Sequence, residues 1–483
     1  MSNITVPWRP TVVWAGLALF ISPLNEAGVA QGLPSISREF AVQLADLRWM
    51  MLGFFVAVAA VLIAGARLGD VLGRRRVFMA GLMIFAIGSI ASSASINYAM
   101  LLSTRAVAGV GAGLFFAGLL AIITQAVPKE MLGRAFGLWA FVGAGAFIVS
   151  AIAGGMLAEL ASWRWIFVMN AMFALVVLAL TPRFFGADAR EGRTRLGDVR
   201  GLLAIGASMI ALTVGLSEAP TRGWTSLSVM IAILLGVAAA FVAYLFERRA
   251  ISPLVPAALF RVRGYLAGTA AITIGYGSVG PVVFAIPIVL YLTDGLSPIS
   301  IGLIMLSYGI WWLVLPPFTG RLADRLGPAS MLSAGFAIGL IGCLLVTVVP
   351  GMQGIAGLCC ALALLGIGIA FIAPTSNRMT MVSVGPSVQG EASGVNMTAR
   401  LLGYLAGVAI VGSLIASNLE ELKASAGTMA AVDDLSMGLR AVWVPVGVLM
   451  ALGLVVSAVW SRGLPGRPAE LAEAGIGVPE DRG

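Results

Sequence analysis

Fourteen apolar runs, each about as long as a bilayer core is thick, follow one another along this chain with mostly short polar joins between them. They lie near 11–34, 49–67, 77–97, 100–126, 134–158, 164–182, 199–217, 227–246, 265–292, 299–319, 329–349, 354–376, 390–417 and 441–460. About 20 apolar residues in helical form cross a hydrocarbon core of about 30 Å. The sequence therefore predicts an all-α polytopic membrane protein. Composition excludes a water-soluble alternative: 59% of the 483 residues are hydrophobic, 11% are charged, and the mean hydropathy is +1.00. The 60 glycines are spread through the apolar runs, as close helix packing in a membrane requires.

Several chemistries are excluded by what is missing. There is no histidine, so a Ser-His-Asp triad and His-based metal or proton-relay sites cannot be built. Neither lysine, Lys129 or Lys423, follows a Gly-rich phosphate-binding loop, so no ATP site is legible. No enzyme activity, cofactor or metal is expected. Cys343, Cys359 and Cys360 sit inside apolar runs and read as packing residues. The first run is too long for a cleavable signal peptide. Orientation follows from the basic residues. With a cytoplasmic N-terminus the inner joins hold Arg74, Arg75, Arg76, Arg190, Arg193, Arg195, Arg200, Arg248 and Arg249 among others; the outer joins hold only Arg38, Arg48, Arg164, Arg222, Lys423 and Arg440. Both termini are thus expected in the cytoplasm, and the net charge of +8 is assigned to orientation and to contact with anionic lipid, with no nucleic acid.

An internal repeat sets the architecture. Arg67-Leu68-Gly69-Asp70-Val71-Leu72-Gly73 is echoed by Arg321-Leu322-Ala323-Asp324-Arg325-Leu326-Gly327, and Gly133-Arg134-Ala135-Phe136-Gly137 by Gly390-Glu391-Ala392-Ser393-Gly394. The offset of about 254 residues exceeds the roughly 190 that six helices with short loops need, so two further helices are placed between the repeats. The expected organisation is a six-helix bundle over 1–183, two central helices with cytoplasmic linkers over 184–263, a second six-helix bundle over 264–461, and a polar tail over 462–483.

The same residues carry a family resemblance. Gly65-Ala66-Arg67-Leu68-Gly69-Asp70-Val71-Leu72-Gly73-Arg74-Arg75-Arg76 resembles the signature loop between helices two and three of the major facilitator superfamily. Arg105 with Gly109-Val110-Gly111-Ala112-Gly113 resembles its embedded-arginine motif on helix four. Trp163-Arg164-Trp165-Ile166-Phe167 with Asn170, and Pro253-Leu254-Val255-Pro256 with Leu259-Phe260, are similar to the fourteen-helix drug:proton antiporter branch. The resemblance implies a monomeric, multi-pass transporter of the inner membrane that exports small lipophilic compounds in exchange for protons.

Two groups of charges are the candidate machinery. Gly65, Gly69 and Gly73 allow a tight helix-to-helix turn, while Arg67, Asp70, Arg74 and Arg134, with Arg321 and Asp324 in the echo, can pair with carboxylates or helix ends as a cytoplasmic gate. Within the membrane, Glu26 and Arg105 fall at similar depth in the outer half of the bilayer. Burial favours a neutral Glu26 and a nearby guanidinium favours its carboxylate, which makes Glu26 the expected proton-titrating group. The drug-exporting branch carries an Asp where this chain has Asn25, one position before Glu26, and a Gly-Pro before Gly-Gly where it has Ser150-Ala151 before Gly154-Gly155.

The substrate cavity is expected among aromatic residues: Phe54, Phe115, Phe116, Trp139 and Phe147 in the first half, Tyr276, Tyr308, Trp311 and Trp312 in the second. Asn377, Arg378, Asn396 and Arg400 add polar groups. An amphipathic, lipophilic substrate follows, with Glu26 favouring a cationic group on it. Two other readings stand beside multidrug export: an exporter of a lipid or secondary metabolite without proton exchange, and a transport-dead membrane sensor.

Overall fold

The computed structural model describes residues 8–42, 48–128, 131–184, 199–249, 257–294, 296, 298–349, 352, 354–385, 388–417 and 431–461. The predicted linkers over 184–198 and 250–256 and the tail over 462–483 fall essentially outside these, as do the side chains of Glu26, Asp70, Ala151 and Asp324.

Every regular element among the described residues is helical. The first leg is α1 (Trp8–Pro23), a π-helical turn (Leu24–Gly28) and α2 (Val29–Phe40). Then come α3 (Arg48–Leu72), α4 (Arg74–Ser93), the pair α5 (Tyr98–Ala117) and α6 (Leu119–Ala126), α7 (Leu132–Leu160) and α8 (Arg164–Phe184). A central hairpin follows, α9 (Val199–Arg222) and α10 (Leu227–Arg249). The remainder comprises α11 (Arg263–Asp294), α12 (Pro298–Val314), α13 (Pro316–Leu326), α14 (Pro328–Val348), α15 (Ile355–Val382), α16 (Gln389–Ser417) and α17 (Ala431–Ser461).

Among the described residues, nine helices are by themselves long and apolar enough to cross a membrane, and ten if the bent pair α12–α13 is one span. Shorter apolar stretches, Pro10–Pro23, Gly53–Gly69, Arg134–Phe147 and Leu203–Ala219, occupy four more of the segments read from the sequence, consistent with fourteen passes. The bend of 40° between α12 and α13 falls at Pro316-Pro317, where two N–H donors are missing from the helical ladder.

In the first half, α3 and α4 flank α5, and α1 lies along α7 and α8. In the second, α11 lies along α15, α16 and α17, and α14 packs between α15 and α17. One apolar core is built around Trp14, Phe85, Phe115 and Phe136 and takes in Tyr265, Met381 and Ala392 from the second half; another is built around Ile286, Phe336 and Trp443. The central hairpin is tied internally by Ser208 Oγ donating to the Gly236 carbonyl at 2.8 Å, and α9 lies against both α3 and α16. It therefore covers one seam between the halves. At the opposite seam α7 meets α13.

The repeat seen in the sequence is also a repeat of backbone shape. Gly73 and Gly327, equivalent in the two copies, both take positive φ, 102° and 85°, and each breaks one helix and starts the next. A side chain there would be strained, so glycine is required at this turn.

Candidate functional site

Arg105 is held by the way α5 is clamped. A Cβ on Gly109 would meet the Phe54 carbonyl on α3 at 2.5 Å, and one on Gly111 would strike the Phe85 amide on α4. Glycines at this spacing let α5 sit directly against the backbones of both neighbours. Arg105 is thereby fixed at 1% exposure. Nη1 donates to Asn25 Oδ1, Nε donates to the Met50 carbonyl at 3.3 Å, and the plane lies 4.6 Å from the Phe54 ring centroid and 5.7 Å from that of Phe167.

Asn25 reaches it because helix one is not a regular α-helix there. Pro23 lacks the N–H that the ladder needs, and the following five residues, Leu24–Gly28, widen into a π turn. This turn rests on α7: a Cβ on Gly154 would meet the Gly28 Cα at 2.5 Å, and Ser150 Oγ donates back to the Ala146 carbonyl, a bond that locally bends helices. The remnant Ser150-Ala151-x-x-Gly154-Gly155 is thus the place where α7 supports the turn that carries Asn25 and Glu26. The expected partner of Arg105, Glu26, has its side chain outside the described residues; the neighbouring Asn25 is one of the described partners.

The second group lies at the far ends of α3 and α16. Arg67 Nη1 pairs with Glu391 Oε1 at 3.0 Å, with side-chain exposures of 8% and 5%. This ion pair joins the two halves. Around it, Tyr265 Oη donates to the Ala392 carbonyl at 3.1 Å, and Gly394 lies so close to α3 that a Cβ would meet that of Ala66 at 2.9 Å. On the other seam Gly137 sits directly on the Pro316 carbonyl, with no room for a side chain. Sequence reading singled out Arg67 and the 390–394 echo separately but did not name Glu391 as a gate residue; the acid replacing Arg134 in the repeat was the available signal. Among the other predicted gate residues, Gly65 packs against α5, where a Cβ would stand 3.1 Å from that of Ala117, and Arg74 lies over Gly69. Arg134 and Arg321 are exposed, the latter 5.8 Å from the Phe318 ring.

Between these two groups is a partly open cavity of about 170 Å³ lined by both halves. Its wall includes Ser22, Phe54, Phe55, Phe116, Trp139 and Phe147 from the first half and Tyr276, Trp312, Asn377, Arg400 and Tyr404 from the second. Five expected cavity residues, Trp311, Tyr308, Asn396, Phe115 and Arg378, are not on this wall. Trp311 points outward at 38% exposure because one step along a helix turns a side chain by about 100°, which leaves Trp312 at the wall. Tyr308 is buried behind Trp312, ring centroids 5.9 Å apart, and Asn396 turns away to donate from Nδ2 to Thr380 Oγ1 at 3.2 Å. Phe115 likewise belongs to the core of the first half, while Phe116 faces the cavity.

Two halves of membrane helices lining a small, mostly apolar cavity define a multi-pass transporter of small compounds. The chain belongs to the Major Facilitator Superfamily, whose sequence model matches residues 15–408 and again 266–477. It is 28% identical over 408 residues to the multidrug resistance protein Stp of Mycobacterium tuberculosis, covering 84% of this chain and 76% of that protein. It is 29% identical over 421 residues to the tetracenomycin C resistance and export protein of Streptomyces glaucescens (86% and 77% covered), and 29% over 454 residues to the puromycin resistance protein pur8 of Streptomyces alboniger (92% and 89%). The fold is similar to that of the human organic anion transporter MFSD10 (TETRAN), with a TM-score of 0.66 over 93% of this chain and 99% of that one at 15% identity.

Proposed function

We propose that this chain exports small amphipathic, lipophilic compounds across the inner membrane by alternating access, driven by protons, with both termini in the cytoplasm. The observation that carries the reading is the aromatic cavity lying between the halves on one side of the buried Arg67–Glu391 pair. That pair exists only while α3 and α16 are in contact, so it holds one end of the cavity closed and must break for that end to open. Arg67, Asp70, Arg74 and Arg134 with Glu391 form the cytoplasmic gate in this reading, and the relatives named for drug resistance and export favour outward transport.

Proton coupling is assigned to the turn Asn25–Glu26 beside Arg105. Protonation of Glu26 changes the charge next to a desolvated guanidinium, where charge interactions are far stronger than in water. The test is efflux of a neutral lipophilic dye from right-side-out proteoliposomes under an imposed pH gradient. Wild type is expected to respond to the gradient, and Glu26→Gln to lose that response; a Glu26→Gln protein that keeps it removes Glu26 from the mechanism. One observation favours the second reading, an exporter without proton exchange. Asn25, which accepts from Arg105, is neutral at the position where the antiporter branch carries an acid. In that case efflux is present in wild type and indifferent to the gradient.

A further inference from the structure

Arg400 is the one charged residue among the described residues lining the cavity, and the gate and the Arg105 cluster make no use of it. It lies on α16, nine residues past Glu391, or about 13 Å along the helix axis into the membrane-spanning segment. A guanidinium at that depth is costly and is retained where it has a task. Its Cζ sits 4.0 Å from the centroid of the Tyr276 ring, a cation–π contact that holds the guanidinium against the aromatic wall. Among the described residues no carboxylate comes within salt-bridge distance of it, and none lines the cavity.

Asn377 supplies an independent observation at the same wall. It is only 3% exposed, and its amide oxygen has no hydrogen-bond partner among the described residues. A buried amide oxygen with no donor is costly, and turning the amide to donate to a bound acceptor relieves that cost. A half-turn of the amide presents two N–H donors instead of the carbonyl. Around these two polar groups the wall is aromatic: Phe54, Phe116, Trp139 and Trp312.

We propose that the cavity is selective for amphipathic aromatic anions, with a carboxylate or sulfonate accepting from the Arg400 fork and the Asn377 amide while the ring body packs among the aromatic side chains. The assignment rests on the export reading for its role in transport, and it reverses the charge that Glu26 alone suggests for the substrate. Planar anions match a planar donor fork, whereas an organic cation would meet a like charge in a low-dielectric site.

The experiment is equilibrium binding to the full chain in nanodiscs with three probes of one shape: 2-naphthoate, 2-naphthamide and 2-naphthylmethylammonium. Wild type is expected to bind naphthoate at least about tenfold more tightly than the ammonium compound. Arg400→Gln is expected to lose about tenfold in naphthoate affinity while naphthamide binding stays within about twofold, which certifies the folded cavity. Asn377→Leu should weaken naphthoate less. Equal or tighter binding of the cation, an unchanged naphthoate affinity in Arg400→Gln, or no binding of any probe would overturn the proposal. Neutral-dye efflux measured on the same preparations separates the two claims. If efflux fails while anion preference holds, export falls and the site stands; if efflux holds without anion preference, only the site falls.

Discussion

At the scale of single residues, the Arg67–Glu391 pair carries the largest energetic stake, because removing one partner leaves an uncompensated charge at a buried position. Glu391→Gln or Arg67→Gln alone is expected to destabilise the protein by about 3–5 kcal/mol, and the double variant to recover much of that loss. Thermal unfolding of the purified protein in detergent measures this; single-variant losses that simply add in the double variant contradict a pair. A different ion pair gives the pH dependence. Beyond the predicted first span, Glu39 accepts from Arg164 through both oxygens, at 2.7 and 2.8 Å, and from Trp163 Nε1 at 2.7 Å. The hydrogen bonds from Arg164 hold its carboxyl below the ordinary value of 4.5, with partial burial opposing and Trp163 assisting. A lowered folded-state value means the contribution is complete above pH 4.5 and is lost as pH falls through the lowered value. The pair is over one-third exposed, so the effect is small. The unfolding midpoints of wild type and Glu39→Gln should differ slightly at neutral pH and converge in acid; a gap that widens in acid contradicts the assignment.

At the scale of elements, glycine placement determines which helices touch and where the chain can turn. Gly73→Ala and Gly327→Ala each force a side chain into positive φ, at an expected cost of about 1–3 kcal/mol read as a lower unfolding midpoint. Gly154→Leu is expected to do more, since its side chain would strike the Gly28 backbone and lift the π turn that carries Asn25 and Glu26. That variant should insert and fold less stably and also respond less to a proton gradient in the efflux assay; full gradient response shows that the turn need not rest on α7. These elements mark the limit of sequence reading. The paired turns at Gly73 and Gly327 were legible, because a repeated motif with a terminal glycine needs no knowledge of distant contacts. The π turn was not. Pro23 warned of a break in helix one, but whether a break kinks, unwinds or widens the helix depends on Gly154 and Ser150 on α7, over a hundred residues away. The placement of Asn25 beside Arg105 rests on that widening, since each step along an undisturbed helix turns a side chain by about 100°.

At the scale of the molecule, the apolar runs and the repeat offset carried the fold, because hydrocarbon thickness and helical rise leave little freedom in how such a chain can be arranged. The cavity was legible only in part. Phe54, Trp139, Phe147 and Tyr276 reach its wall, whereas Trp311 and Tyr308 do not, and periodicity in a helix that is apolar all round gives no face to choose. Glu391 was legible only as an odd residue in an echo; its meaning came from the meeting of α3 and α16. The division into six, two and six helices is our proposal for how these parts move, with α9 and α10 riding on the α3–α16 seam. The measurement that tests the central claim most directly is the distance between spin labels at Leu72 and Leu326, exposed positions at the gate ends of α3 and α13, after replacement of the three native cysteines. Alternating access predicts two distance populations whose proportions shift with substrate and pH, the longer one favoured in Glu391→Gln. A single population, unmoved by substrate, pH or that substitution, would contradict the account.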